Sequence, residues 1–163
     1  MLISKYFNSF TSYNILLLLI FSFSVNLIEA FSIINSLAYV FFHMLLIYLA
    51  MYYYRKTLFL IYFLYGLFID LILINEIGPH LIVFMFILIF FSNTKKIFHL
   101  ISANKIYLSI LFALLVVFLL EMVISHLLYN IDINLYNLMK FILISILISY
   151  PVFFLFSKID NLK

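Results

Sequence analysis

The chain has 163 residues, the length of one domain, with 69% hydrophobic and only 9% charged residues. A soluble domain carries roughly 25% charged residues, so a water-soluble particle is excluded and a lipid-facing surface is expected. The net charge of +3, held in short clusters, excludes a nucleic-acid face, and the absence of cysteine excludes disulfides, thiolate metal sites and a Cys nucleophile.

Charged residues cut the chain into bilayer-sized lengths. A helix needs about 20 residues to cross a hydrocarbon core of roughly 30 Å. Span one is predicted over residues 10–28, between Lys5 and Glu29, and span two over 36–54, ending at Arg55. The first is too long and too weakly basic for a cleaved signal peptide and has no A-x-A site. Span three is placed at 57–74 and span four at 77–92. Span four is short, roughly 24 Å at 1.5 Å per residue, so it sits shallowly or thins the bilayer. Spans five and six are placed at 106–129 and 135–157. The runs are continuously apolar rather than alternating, which favours helices over a barrel. The expected fold class is therefore all-α: one polytopic integral membrane domain of six transmembrane helices, residues 1–163.

Lysine and arginine set the expected orientation. Lys5, Arg55, Lys56, Lys95, Lys96, Lys105, Lys158 and Lys163 fall on one side, and Glu29, Glu76 and Asp132 on the other. Lys140 is the exception and can snorkel to the interface. The positive-inside rule places both termini in the cytoplasm, which an even span count requires.

Two carboxylates fall inside spans, where charge is expensive and side chains face protein or water. Asp70 lies in span three, four residues from Gly66 and so on the same helix face. Gly66 gives a neighbouring helix a close-approach surface. Glu121 lies in span five with Ser125 on its face and His126 beside it. Asp70 and Glu121 sit toward the same leaflet, where His126, Asn75 or His80 are candidate partners in a polar cluster. The segment Asn75–His80 reads as a tight turn: Gly78 tolerates positive φ, and Pro79 suits the first turn of a helix. Pro151 is expected to kink span six or loosen its hydrogen-bond ladder.

Catalysis finds no support in the motifs. The four histidines, at 43, 80, 99 and 126, lack H-E-x-x-H or other metal-ligand spacing, and no G-x-S-x-G elbow occurs. Two glycines cannot build a phosphate-cradling loop. No cofactor is expected. The aromatic richness accompanies abundant Ile, Asn and Lys, all with AT-rich codons, and is read as genome bias.

The run Gly66-Leu67-Phe68-Ile69-Asp70-Leu71, followed by Gly78 at the start of the next apolar helix, resembles the signature of the rod shape-determining protein MreD family. Both glycines of the chain fall in this motif. Ile77 stands where that family usually has Leu. Tyr150-Pro151-Val152-Phe153-Phe154 and Lys158 resemble the proline-bearing final stretch and basic tail, although the tail ends in Asp160, Asn161 and Lys163 rather than an arginine run. The resemblance implies a fold similar to the substrate-binding components of energy-coupling-factor vitamin transporters. It implies a non-enzymatic inner-membrane component of the cell-elongation machinery. The implied partners are an MreC-like protein and, through it, the MreB filament, RodA and its transpeptidase, in support of peptidoglycan synthesis. Gly66, Asp70, Gly78, Glu121 and Pro151 are the expected packing or partner residues. The alternative is a membrane subunit that binds a vitamin for transport, for which longer outer loops are expected than the few residues between spans three and four.

Overall fold

The computed structural model describes residues 10–21, 32–73, 76–98 and 103–161. The described residues form six helices and no strand: α1 (Phe10–Phe21), α2 (Ser32–Tyr52), α3 (Lys56–Leu73), α4 (Pro79–Phe98), α5 (Ala103–Tyr129) and α6 (Leu135–Asn161). Four of them, α2, α3, α5 and α6, are long and apolar enough to cross a membrane, whereas α1 and α4 contain shorter apolar stretches. Span four as read from sequence begins two residues too early, because Pro79 opens the helix. Its chain continues helically to Phe98, past the polar residues Asn93 and Thr94. Residues 22–28 of span one lie outside the described residues.

The bundle is built around α2. Residues 42–51 are buried without a break, so this stretch is enclosed by other helices on every side, as expected of a largely hydrophobic central helix. It packs against α4, α5 and α6, while α3 packs mainly against α4. The outer helices turn large apolar side chains outward, among them Leu60, Phe112, Leu127 and Leu147. A surface of that kind is stable in lipid and not in water, so the architecture is that of a multi-pass membrane protein.

The α3–α4 and α5–α6 turns lie at one end of the bundle, tied together where the Tyr129 hydroxyl donates to the Ile77 carbonyl at 2.6 Å. At the opposite end the Asp160 carboxylate of α6 accepts from three tyrosines. Tyr13 of α1 reaches it at 2.9 Å, and the Tyr48 and Tyr53 hydroxyls from the end of α2 do the same. Tyr13 also reaches the Phe156 carbonyl at 3.0 Å. This clasp joins α1, α2 and α6, and its rings pack edge-on or tilted against Phe156. The tyrosines that composition assigned to codon bias thus include three with a defined polar task.

α6 runs through Pro151 without interruption. Proline has no N–H for the Leu147 carbonyl, so one rung of the ladder is missing, yet the helix continues to Asn161. Pro151 lines an apolar groove with Ile20 of α1 and Ala38 and Phe41 of α2.

α3 and α4 come close together at Gly66. A Cβ there would stand 2.6 Å from the Leu81 Cα and 3.0 Å from its nitrogen, both backbone atoms that cannot swing away. Gly66→Ala should therefore destabilise the protein by about 2 kcal/mol, because overpacking outweighs the gain in helix propensity. Thermal melting in detergent micelles measures this; a variant as stable as wild type would mean that α3 and α4 are further apart than described.

Candidate functional site: a buried polar network beneath a cavity

The site begins with a problem common to every helix whose first turn is buried. The first N–H groups of α4 have no acceptor within the helix, and Gly78, Pro79 and His80 are buried away from solvent. Asp70 of α3 solves it from the side. Its Oδ2 accepts from the Gly78 nitrogen at 3.0 Å and the Leu81 nitrogen at 2.9 Å. Its Oδ1 accepts from the His80 nitrogen at 3.1 Å and from His80 Nδ1 at 2.7 Å. Pro79, the first residue of α4, has no N–H to satisfy. All the orphan donors of this turn are matched, and the ladder proper begins with the Ile82 nitrogen on the Gly78 carbonyl.

Each oxygen of Asp70 thus takes two donors, which fills a carboxylate's four acceptor sites. The side chain is fully buried. Asp70 has no lone pair left for an outside partner.

Gly78 departs from expectation in its reason. No described glycine has positive φ, so its conformational freedom is not used. The absent Cβ instead leaves room for the Tyr129 ring, whose Cε2 would lie 2.8 Å from it. Gly66, Asp70 and Gly78 therefore form one interlocking unit: a close approach, a cap supplied from the neighbouring helix, and a seat for an aromatic ring.

From His80 the polar contacts run onward. His80 Nε2 lies 2.9 Å from the Tyr39 hydroxyl of α2, which donates to Glu121 Oε2 of α5 at 2.7 Å. Glu121 Oε1 meets His43 Nε2 at 2.9 Å, and His43 Nδ1 donates to the Tyr39 carbonyl at 2.8 Å. Four helices are linked through five side chains. His43, Asp70, His80 and Glu121 are all buried.

Proton bookkeeping follows from the donor and acceptor inventory. Stripped of exchangeable protons, each of the five side chains carries one negative charge. The five bonds they make as a chain, from Asp70 to the Tyr39 carbonyl, each hold one proton. The network is therefore neutral wherever along it the protons sit. With Tyr39 donating to Glu121, each carboxylate shares a proton with an imidazole, at 2.7 Å for Asp70–His80 and 2.9 Å for Glu121–His43. A neutral, hydrogen-bonded network is the form in which ionisable groups are tolerated within a bilayer.

The sequence offered His126, Asn75 or His80 as partners for Asp70 and Glu121, and of these His80 joins the network while His126 does not. His126 instead donates from Nδ1 to the Ile131 carbonyl at 3.0 Å, at the end of α5. Five residues along a helix turn a side chain about 140° away from Glu121, so adjacency in sequence is opposition in space. Asn75 lies outside the described residues. Tyr39 and His43 were missed; the available signal was a histidine within an uncharged span with a tyrosine one turn earlier.

Above the network, toward the α5–α6 turn, lies a cavity of about 430 Å³. His80, Glu121 and Tyr39 form its floor, Ile69 and Leu138 part of its apolar wall, and Asp132 and Asn134 belong to its rim. The rim has a defined backbone. Asn130, at φ 53°, ends α5 with its nitrogen 2.9 Å from the His126 carbonyl, and the Asn134 side chain caps α6 by accepting from the Asn137 nitrogen at 3.1 Å. Among the described residues no group of three His, Cys, Asp or Glu side chains is placed to hold a metal ion.

No family model matches this sequence, and neither the curated proteins nor the solved structures include a match.

The two buried carboxylates should respond unequally to the same change. Asp70→Asn turns an amide N–H₂ toward backbone donors and should cost about 3 kcal/mol. Glu121→Gln can still accept from Tyr39 and donate to a neutral His43, and should cost about 1 kcal/mol or less, whereas Glu121→Leu strands both partners at about 3–5 kcal/mol. Unfolding of the purified variants in mild detergent compares them; equal losses for Asp70→Asn and Glu121→Gln would refute the assigned hydrogen-bond directions.

Proposed function

We propose that this chain is a non-enzymatic, multi-pass component of the bacterial cell-elongation complex, similar to the MreD family. In this reading all six helices span the inner membrane with both termini in the cytoplasm. The protein helps to organise peptidoglycan synthesis with an MreC-like protein, and through it with MreB, RodA and its transpeptidase. The observation that carries the reading is the fate of the motif Gly66, Asp70 and Gly78: its three residues serve one helix junction and leave no reactive group. A motif spent wholly on architecture suits a scaffold better than a catalyst. The segregation of cations supports the orientation: Arg55 and Lys158 belong to the clasp end of the bundle, and Glu76 and Asp132 to the end with the two turns.

Expression at native level in a rod-shaped bacterium depleted of its own MreD protein tests the role. Rod shape should be restored, and an MreC-like protein should co-purify. Spherical cells with no such partner would refute the proposal, and co-purification with a transporter ATPase would favour the vitamin-binding alternative. A C-terminal reporter fusion should be active only in its cytoplasmic form.

A further inference from the structure

The geometry points to a binding site for an organic ammonium group in the cavity over the Tyr39–Glu121 floor. This inference stands on the cavity alone and does not depend on the scaffold role. Its volume of about 430 Å³ is within the range of small-ligand sites. Among the described residues its walls carry no lysine or arginine, while its floor holds Glu121 and its rim Asp132. Because the floor network is neutral as a unit, the net charge of the lining is that of the Asp132 carboxylate. The net charge of the lining therefore disfavours an anionic ligand and favours a cation.

The aromatic walls select the kind of cation. The Tyr39, Phe118 and Phe141 rings gather at the cavity, with centroids 6.0 Å apart for Tyr39–Phe118, 5.1 Å for Tyr39–Phe141 and 5.4 Å for Phe118–Phe141. Ring faces attract ammonium groups, most strongly where water is scarce. Each Glu121 oxygen already accepts one hydrogen bond and keeps acceptor capacity for an N–H donor. Ile69, Ile72 and Met122 supply apolar surface for the rest of the molecule. Lys140 is on α6 beside Phe141 but is not a wall residue. Two sources share this chemistry: a free amine with an apolar body, and the aminoethyl headgroup of a phospholipid.

The test uses the full chain purified in detergent micelles. Phenethylammonium chloride and 3-phenylpropionate, similar in shape and opposite in charge, are titrated by calorimetry. The amine should bind saturably and the acid should not. In a second arm, native mass spectrometry compares retention of phosphatidylethanolamine with phosphatidylglycerol. Preferential retention of the former, displaced by phenethylammonium, identifies the lipid as occupant; amine binding without lipid preference identifies a free amine. Asp132 is exposed, so Asp132→Asn should fold normally and weaken either ligand by about fivefold. Phe141→Leu, keeping apolar bulk but losing the ring face, should weaken the amine as well. Equal binding of acid and amine, unchanged affinity in Asp132→Asn, or no saturable binding of either the amine or phosphatidylethanolamine would overturn the proposal.

Discussion

The structure depends on a helix whose first turn is buried inside the bundle. Asp70 meets that constraint with a single carboxylate that accepts three backbone N–H groups and one imidazole N–H. Its reach is short, so α3 and α4 must lie almost in backbone contact, which fixes Gly66 opposite Leu81. The imidazole that completes the cap is then presented to Tyr39, and the rest of the polar network is built outward from it. Remove the cap and the loss is not confined to one turn: His80 loses its orientation, and the junction of four helices loses its corner.

Apolar packing and polar pairing have divided the work. α2 supplies the bulk of the core, with ten consecutive buried residues from Phe42 to Met51, and hydrophobic contact of that kind resists separation without fixing rotation. Direction comes from the hydrogen bonds of Tyr39 and His43 at one end of α2 and of Tyr48 and Tyr53 at the other. In lipid, where apolar surfaces gain little from each other, such bonds and close small-residue contacts distinguish one packing from another.

How much of this was legible in the sequence follows from which contacts are local. The apolar runs were plain because charge is so costly in lipid that it marks their ends. Gly66 and Asp70 were legible as a pair because four residues make one helical turn. The reason for Gly78 was not, since Tyr129 lies 51 positions away and nothing in the chain order announces it. The pairing of His43 and Tyr39 was illegible for the same reason: their partner Glu121 is on a helix whose neighbours sequence does not state. Asp160 looked like a weakened basic tail, because a clasp of three tyrosines from two other helices leaves no local pattern.

The network also has a direction in time, because a chain is made from its N-terminus. His43 and Tyr39 emerge first, and a lone imidazole can enter lipid uncharged. Asp70 follows, and its acceptors are answered within ten or eleven residues by His80 and Leu81, in the same hairpin. Glu121 comes last of the five and meets a waiting imidazole and hydroxyl. Each carboxylate is thus delivered to lipid together with its proton donors or after them. Reversing that order, by moving the fifth helix ahead of the second through circular permutation, would leave Glu121 unanswered for most of synthesis, although every final contact could still be made.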